Sequence, residues 1–494
     1  MRQAVRQALV GFQTQQNNLH LQFYGLRRSS LPDGPHKHVR QIGERTIILV
    51  PNSTCETEPP IGTISAAARL NAACLCKTLD RPALRTALDA QVGKVGFAKT
   101  LESAQPSLFS RVPVFVTPDT MTAMAHVITA VEAVVRLPGY RDATMAWATP
   151  IAKADLGPAG ALMGYDFHIT PDGPRLIEIN TNAGGAFLNS VLADSQRACC
   201  SAAQTAHLSP RGNFGTAMAD MFVEEWQRQH RLGKPATIAI VDDAPEDQYL
   251  FPEFQLAEAM LKKQGFVVVI ADASALVASE TGLTFKGVSI DLVYNRLVDF
   301  RLDEPRHAAL RAAYELGRVV VTPNPHVHAL VADKRNLSLL SNDAQLKIWG
   351  LAAVDRDALR ASVPPTVLIT PANADALWHT RRSLFFKPAR GHGSKAAYRG
   401  DKLTRRVWAE ILDGEYVAQE YASPSERIVV RDGLPTSLKV DIRLYSYAGA
   451  VLLAAARLYQ GQTTNMRTPG GGFSPVLELA QPISQQVQRG VCQD

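Results

Sequence analysis

Apolar residues recur at the spacing of an amphipathic helix in two stretches of the chain. In residues 119–136 the recurring apolar positions are Met121, Met124, Val127, Ile128 and Val131. This spacing predicts a helix with a buried face, and Asp119 is its predicted N-cap. A second helix is predicted over residues 252–264, because Pro favours the first helical position and Gly265 favours the end.

A strong turn sequence separates two strand-like runs. The runs are residues 162–170 and 175–181, and the sequence Pro-Asp-Gly-Pro stands between them at 171–174. Such clusters are typical of tight turns. The pattern therefore predicts a β-hairpin, which the glycine pair Gly184 and Gly185 follows.

Short β-rich runs then alternate with helical sequence. These runs are residues 236–241, 266–271, 290–294 and 319–322. Strands that alternate with helices predict a parallel α/β unit, here of about 90 residues. A helix and a linker are predicted before this unit, in residues 201–235.

The last part of the chain alternates strands with glycine-rich loops. The predicted strands are residues 384–387, 416–419, 438–447 and 450–459. They are short, and several end in polar residues. The polar tail that follows lacks the apolar spacing of either element.

Composition places the chain among ordinary globular proteins. Of its 494 residues 46% are hydrophobic and 20% are charged, which excludes wholesale disorder. The length suggests roughly three domains or lobes. The net charge of +6 is mild for such a length, and it favours neither an anionic small molecule nor nucleic acid.

The chain has no sequence typical of membrane insertion or export. Its longest apolar stretch, residues 448–456, is far shorter than the roughly 20 residues of a membrane span. The N-terminal residues lack the apolar core of a secretory signal. The six cysteines form no metal-binding spacing, so we expect reduced thiols and a cytoplasmic protein.

The predicted hairpin brings oxygen ligands together. Residues two apart in a strand point to one face, so Glu178 and Asn180 point together, and Ile177 and Ile179 point to the other face. Asp166 lies on the partner strand and can reach the same place. Carboxylate and amide oxygens are ligands that Mg²⁺ prefers, which predicts a magnesium site. The alternative is a hairpin whose polar residues simply face solvent.

A lysine and a glycine-rich loop follow a later strand. Lys387 ends the predicted strand, and Gly391 and Gly393 lie in the loop after it. The glycines allow backbone amides to approach phosphate oxygens, and the lysine supplies a positive charge. The motif is neither a P-loop nor a dinucleotide-binding loop. The alternative is a glycine-rich surface turn.

Residues 417–422 end another strand in polar residues. The edge of this strand can offer backbone groups to an adenine, and Glu426 in the next loop can accept hydrogen bonds from ribose hydroxyls. The alternative for Glu426 is a solvated surface residue. By itself the segment is a weak signal.

Two arginines lie in strands that are otherwise apolar. These are Arg443 and Arg457, and arginine is rare at such positions unless it is paired. They predict either clamps on anionic oxygens or structural salt bridges, for example with Asp441. The three glycines at 470–472 permit a close backbone approach to an anion. Lys334 lies in the basic first turn of a predicted helix, where a solvent-facing charge is the alternative.

Taken together, these motifs resemble those of the ATP-grasp superfamily of carboxylate–amine ligases. In most members the lysine and the glycine-rich loop precede the metal-binding Glu-x-Asn. Here Glu178 and Asn180 precede Lys334 and Lys387. The chain therefore resembles a circularly permuted ATP-grasp protein, the arrangement of eukaryotic-type glutathione synthetase.

The resemblance covers about two-thirds of the chain, residues 160–475. The segment 441–472 is more similar to the ribosomal-protein glutamate ligases. Two features depart from the family pattern: Ala396 replaces a loop glycine, and Met163 and Gly164 stand where glutathione synthetases have a catalytic arginine. Glutathione is therefore not implied as the product.

The resemblance implies three groups of site residues. Those that bind Mg²⁺, as one or two ions, are Asp166, Glu178 and Asn180. Those that bind ATP are Lys334, Lys387, Gly391, Gly393, Ser394, Gln419, Glu420, Tyr421, Ala422 and Glu426. Those that contact phosphate or a substrate carboxylate, and are catalytic, are Arg443, Arg457 and Asn465.

The fold that the resemblance implies is an α/β fold built of α+β lobes. Residues 1–235 would form an N-terminal helical region with the metal-binding strands, and residues 236–326 an inserted Rossmann-like substrate lobe. Residues 327–480 would form the nucleotide-binding part, and residues 481–494 a polar tail.

The implied activity is an ATP-dependent ligation through an acyl phosphate, which releases ADP and phosphate. The expected partners are a small-molecule or peptide carboxylate and an amine, without nucleic acid or membrane, and a homodimer is compatible with this. Candidates for contacting these substrates are Tyr294, Asn295 and Arg296, at a strand end of the α/β unit. The alternatives are a small-molecule kinase on the same scaffold and a non-catalytic ATP-binding protein.

Overall fold

The computed structural model of the chain describes residues 65–197, 206–208, 212–391 and 396–480. The predictions for residues 1–64, for Gly393 and Ser394, and for the tail 481–494 lie outside the described residues.

Helices and strands alternate through most of the described residues. The longer helices are α1 Ala66–Ala73, α2 Arg81–Val92, α3 Phe97–Ala104, α4 Pro118–Val135, α5 Pro138–Ala146, α6 Ala186–Asp194, α7 Phe214–Arg228, α8 Phe251–Lys263, α9 Ala308–Glu315, α10 Asn336–Leu340, α11 Asp343–Ile348, α12 Ala353–Ser362, α13 Ala374–Thr380 and α14 Arg405–Asp413. The first eleven strands are β1 Val114–Val116, β2 Met163–Thr170, β3 Gly173–Asn180, β4 His207–Leu208, β5 Thr237–Asp242, β6 Val267–Asp272, β7 Leu276–Ala278, β8 Leu283–Phe285, β9 Val288–Ile290, β10 Leu292–Asn295 and β11 Val320–Thr322. The remaining strands are β12 Thr366–Leu368, β13 Leu384–Pro388, β14 Tyr398–Arg399, β15 Tyr416–Glu420, β16 Ser425–Arg431, β17 Leu434–Tyr447, β18 Ala450–Tyr459 and β19 Gly472–Glu478.

The largest sheet is built from strands that are far apart in sequence. Its order is β1-β19-β18-β17-β2-β3, with β16 added to β17 and β4 to β19. The predicted hairpin is its β2–β3 pair. Because β17 runs antiparallel to β2, Arg443 lies directly opposite Asp166, 277 positions earlier in the chain. The sheet therefore brings together the early and late motifs of the sequence.

A β-bulge interrupts the hairpin beside its polar residues. Asp166 pairs with Glu178, but the next residue, Phe167, pairs with Leu176, so Ile177 is an extra residue in β3. Beyond the bulge, Ile179 is buried in the core, as predicted, whereas Ile177 lines the opposite face. The prediction that both isoleucines share one face was wrong, because a bulge shifts the alternation of side chains by one residue.

The predicted parallel unit is present as a four-stranded sheet of order β11-β10-β5-β6. Its helix α8 begins and ends one residue earlier than predicted. Gly265, two residues after the helix, has a φ of +83°. The predicted strand 290–294 is divided into β9 and β10. At the break, the Asp291 carboxylate accepts hydrogen bonds from the backbone of Ala236 and Thr237, at 2.8 and 2.9 Å.

A second antiparallel sheet has the order β12-β15-β13-β14. Its own small core consists of aromatic and aliphatic side chains, among them Trp378, Phe386, Trp408 and Ile411. It contains the predicted strands 384–387 and 416–419, and it faces the large sheet. A small sheet of β7, β8 and β9 lies within the α/β unit.

Helix α4 confirms the predicted amphipathic stripe but begins earlier than predicted. Its cap is Thr117, whose hydroxyl accepts from the backbone of Thr120 at 3.2 Å, and Asp119 lies inside the first turn. The reason is Pro118, which has no N–H to satisfy and suits the first helical position.

Within the described residues no single helix is long and apolar enough to cross a bilayer, although α4 and α5, bent by 81°, pass this test together.

One buried carboxylate connects helix α7 to both neighbouring sheets. Glu225 is fully buried, and it accepts hydrogen bonds from the backbone of Ala159 at 2.7 Å and of Gly160 at 3.0 Å. It also accepts from the hydroxyls of Tyr447 on β17 and Thr322 on β11. Burial raises the pKa of this carboxyl, and the four donors oppose that rise.

We expect Glu225→Ala to destabilise the fold strongly, because it leaves four buried donors without an acceptor. The free energy of unfolding should fall by roughly 3 kcal/mol or more, measured by urea denaturation. The control is Glu224→Ala, which removes only a half-exposed partner of Arg228 on the same helix. Equal stability of the two variants would contradict this role.

Candidate functional site

A cleft opens between the large sheet and the second antiparallel sheet. The large sheet lines it with residues of β2, β3, β17 and β18, and the smaller sheet lines it with residues of β13 and β15. The polar side chains of the cleft include Asp166, His168, Glu178, Asn180, Lys334, Lys387, Gln419, Glu420, Asp441, Arg457, Thr463 and Thr464. Most of the predicted site residues therefore meet in one place.

The three residues predicted to bind metal lie side by side. The Asn180 amide donates to the Glu178 carboxylate at 3.2 Å and to the Asp166 carboxylate at 3.1 Å. With its Nδ2 turned to the carboxylates, the amide directs its carbonyl oxygen to the other side. The side chain of Glu178 remains 32% exposed, whereas that of Asp166 is 3% exposed.

Asp166 lies between two arginine side chains. Arg443 donates to both of its oxygens, at 2.6 and 2.7 Å, and Arg457 donates to Oδ2 at 2.8 Å. Burial alone would raise the pKa of the Asp166 carboxyl, but the charges of the two arginines outweigh burial and lower it to about 2. Both carboxylate oxygens thus already accept charge-assisted hydrogen bonds.

The second arginine also has a second carboxylate partner. Arg457 Nε donates to Asp441 at 2.6 Å, and the other oxygen of Asp441 accepts from the Thr464 hydroxyl at 2.5 Å. Both arginines therefore form the salt bridges that were the structural alternative. They differ in position, because Arg457 lines the cleft while Arg443 is buried behind it and also donates to the Gly184 carbonyl at 3.3 Å.

Two lysines from different segments point into the cleft near Glu178. Lys387 on β13 donates to the Ile177 carbonyl at the bulge, at 2.6 Å, and to the Gln419 amide oxygen at 2.7 Å. Its burial lowers the pKa of the ammonium group to about 8. Lys334, before α10, donates to the Gly391 carbonyl at 2.8 Å and lies 4.0 Å from Glu178.

The donor set fits a magnesium ion at Glu178 and Asn180. A partly exposed carboxylate oxygen and an amide oxygen are hard ligands, and both face a cleft that contains two cationic side chains for further anionic groups. Asp166 fits a supporting position better, since arginines occupy its oxygens and it holds the Asn180 amide. Its assignment as a metal ligand stays a prediction.

The strand end predicted to contact adenine lies at the cleft. Glu420, Tyr421 and Ala422 line it, and the Tyr421 ring stacks on Phe385 with a centroid separation of 6.4 Å. Gln419 also lines the cleft, and its side-chain oxygen accepts from Lys387 at 2.7 Å.

Besides Arg443, two predicted residues lie away from the cleft lining. Glu426 accepts from the Ser437 hydroxyl at 2.7 Å on the exposed surface of β16 and β17. Asn465 lines an adjoining cavity with Tyr249 and Arg467, and its side chain accepts from the Arg467 backbone at 2.9 Å. Gly391 does line the cleft. Gly393 and Ser394 lie outside the described residues.

Sequence reasoning missed several residues of the cleft. His168 contacts the Ala422 carbonyl at 2.7 Å through Nδ1, so it connects β2 to the segment after β15. Tyr459 and Thr464 also line the cleft. The signal for His168 was present, because it is two residues after Asp166 and strand residues two apart share a face.

The candidates in the α/β unit lie at the carboxyl end of β10, one of the two inner strands of its sheet. Arg296 is buried at 6% exposure, and it donates to the Tyr294 hydroxyl at 3.2 Å. Its Nη2 would be in ordinary contact, at 3.4 Å, with a Cβ on Gly184, whereas Leu250 Cδ1 would clash with that Cβ, so glycine permits the close approach of Leu250. Asn295 instead donates to the Pro323 carbonyl within the unit.

No protein-family model and no curated protein matches the chain. Among solved structures, a glutathione synthetase-like effector from Globodera pallida matches with a TM-score of 0.50 and 12% identity, over 80% of this chain and 97% of its own. A putative gamma-glutamylcysteine synthetase from Methylobacillus flagellatus matches with a TM-score of 0.42 and 10% identity, over 72% and 87%. The ATP-grasp ligase PsnB matches with a TM-score of 0.28 and 12% identity, over 50% and 92%.

The likeness to the first structure shows the fold. The chain has the mixed α/β fold of the ATP-grasp ligases, as the resemblance of its motifs predicted. The circularly permuted order of its parts and the predicted domain limits stay predictions.

We expect Asp166→Asn to destabilise the protein, because it leaves Arg443 buried without a carboxylate. The free energy of unfolding at neutral pH should fall by about 3–5 kcal/mol. In the unchanged protein the ionised Asp166 carboxylate contributes to the free energy of unfolding at pH values above the ordinary pKa of aspartate, about 3.9. That contribution is lost as the pH falls towards about 2. Urea denaturation over this acid range measures both effects.

The matched control is Asp172→Asn, at the exposed turn of the same hairpin. It should leave both the stability and its acid dependence unchanged. If Asp166→Asn behaved like this control, the arginine contacts would contribute no net stability.

Proposed function

We propose that this chain is an ATP- and Mg²⁺-dependent ligase that joins a carboxylate to an amine through an acyl phosphate. The observation that supports it best is the meeting of Glu178 and Asn180 with Lys334 and Lys387 in one cleft. Oxygen ligands for a divalent cation beside two ammonium groups are what a magnesium-bound triphosphate requires. The fold that the chain shares with a glutathione synthetase-like effector is compatible with this chemistry.

Glu178 and Asn180 would hold the Mg²⁺ ion, with Asp166 orienting the Asn180 amide from behind. Bound there, Mg²⁺ would neutralise charge on the phosphates during phosphoryl transfer. The arginines keep Asp166 ionised down to a low pH, so the amide stays oriented over the whole physiological range.

The two lysines would bind the phosphate oxygens of ATP. Each already donates to backbone or amide carbonyls, which fixes the position of its ammonium group before any nucleotide arrives. The stacked rings of Phe385 and Tyr421 offer an apolar wall for the base within the same cleft, with the Phe385 centroid 5.7 Å from Lys387 Nζ.

The carboxylate substrate would lie between the cleft and the α/β unit. Its oxygen attacks the γ-phosphate of ATP, ADP leaves, and the amine then attacks the acyl carbon and releases phosphate. Arg457, at the cleft surface, is placed to stabilise negative charge on the reacting oxygens. Arg296 would bind an anionic part of the substrate, since its Nε is buried without a hydrogen-bond partner.

The decisive experiment measures phosphate release from ATP against paired libraries of acids and amines. A ligase releases phosphate only when both substrates are present, and mass spectrometry then detects an amide. Glu178→Gln should abolish this turnover and leave the fold intact, whereas Glu410→Gln, an exposed surface residue, should not change it. Phosphorylated acid as the final product would instead identify a kinase, and nucleotide binding without turnover would identify a non-catalytic protein.

We expect Lys387→Met to weaken ATP binding by at least about tenfold, because the variant removes a buried charge from the phosphate site. In the unchanged protein the affinity should fall as the pH rises through about 8, where the ammonium group loses its proton. Calorimetric titration at several pH values checks both. The control, Lys402→Met on the exposed surface of the same lobe, should bind ATP normally. Unchanged affinity in Lys387→Met would remove this lysine from the phosphate site.

A further inference from the structure

A buried histidine in the α/β unit lies between two aspartates. His307, just before α9, has 0% side-chain exposure. Its Nδ1 lies 2.8 Å from the Asp299 carboxylate, and its Nε2 lies 2.9 Å from the Asp243 carboxylate. Asp243 directly follows β5, and Asp299 lies in the loop that follows β10. The imidazole therefore connects that loop to the carboxyl end of the neighbouring strand.

This geometry favours the protonated ring. A neutral imidazole has one N–H and can donate to one of the two carboxylates, whereas an imidazolium donates to both. Burial works to lower the pKa of His307, but the hydrogen bonds to Asp243 and Asp299 outweigh burial and raise it above its ordinary value.

The surrounding charges are mixed. Asp243 and His307, with Glu304, bring one potential metal-ligand atom each within 4.8 Å, but both ring nitrogens already face carboxylates. Arg306 pairs with Glu304 at 2.8 Å and lies 3.9 Å from Asp243. The other charged groups close to this cluster are Asp242 at the end of β5, Asp272 at the end of β6 and Arg296 after β10.

The loop that His307 holds is also one of the contacts between the α/β unit and the segment that follows the hairpin. We call residues 296–304 the clasp loop. Asn182, two residues after β3, donates to the carbonyls of Arg296 and Leu297, at 2.5 and 2.9 Å. The Phe300 ring stacks on His328 at 3.9 Å, and His328 in turn lies 3.0 Å from the Thr181 hydroxyl.

We propose that protonated His307 is a positioning residue that fastens the clasp loop to β5, so that rising pH loosens this loop. When the proton leaves, one carboxylate loses its donor, and the two aspartates then face each other across a neutral ring. The loosening is inferred from these contacts alone. Its consequence, weaker positioning of Arg296 and Asn182 for the substrate, rests on the proposed function.

The direction of the pH effect follows from the raised pKa. The contribution of His307 is complete below the ordinary histidine pKa of about 6.5. It is lost as the pH rises through the higher pKa of the folded protein. His328, on the other side of the loop, does not add to this titration, because burial lowers its pKa to about 3.

The test measures the titration and the loop motion in the full chain. Nuclear magnetic resonance of histidine-labelled protein gives the pKa of His307, and hydrogen exchange reports opening of amides in residues 296–304. After correction for the intrinsic pH dependence of exchange, we expect the opening of this loop to increase at least about tenfold between about pH 6 and about pH 9. Residues of β17 should show no such increase.

Two variants separate positioning from simple stability. Asp299→Asn keeps an acceptor but removes a charge, so it should lower the pKa of His307 and move the onset of loop opening to lower pH. His307→Gln should open the loop at every pH, while the exposed control His379→Gln should behave like the unchanged protein. If His307→Gln does not fold, the titration of the unchanged protein and of Asp299→Asn still decides.

A His307 pKa at or below about 6.5, or loop opening that does not follow its titration, would overturn this inference. Neither result depends on turnover. The absence of ATP turnover would count against the proposed function and leave the titration of His307 as it was.

Discussion

The structure of the cleft depends on one buried carboxylate between two guanidinium groups. Asp166 lies on a hairpin strand, and its partners Arg443 and Arg457 lie on strands nearly 300 positions later in the chain. Burying two guanidinium groups and one carboxylate is costly. The cluster is stable here because nearly every donor and acceptor has a partner, and because the Asp441 carboxylate balances the charge of Arg457. The pairing holds the sheet in register where β2 meets β17, and this register places Glu178 and Asn180 beside the lysines.

Much of the fold was readable because local patterns and tertiary structure agree. The hairpin, the parallel sheet and the strands around Lys387 and Gln419 appear close to their predicted limits. The prediction of Asp119 as the cap of α4 did not use Pro118, which suits the first helical position and so places the cap at Thr117. The division between β9 and β10 depends on Asp291 bonding to a distant strand, and no local pattern contains that information.

The site was harder to predict, because side-chain direction depends on partners. The sequence left open whether the two arginines bind anions or carboxylates of the protein, since Asp166 and Arg443 are linked only through the folded sheet. Glu426 and Asn465 were included among the residues that the resemblance implies, but Glu426 lies on β16 and bonds to Ser437 on the paired strand, and Asn465 bonds to the backbone of its own turn. His168 was overlooked although its spacing from Asp166 was visible.

Ile177, the extra residue at the bulge in β3, determines which mutations this part of the protein tolerates. Without Ile177, β3 would pair with β2 without a bulge, and the hydrogen-bond ladder of the sheet would be more regular. The loss would remove the carbonyl that Lys387 reaches and would turn Glu178 and Asn180 to the opposite side relative to the turn. Sheet regularity and site geometry are thus in opposition at this position, so single-residue deletions here should be far more damaging than substitutions.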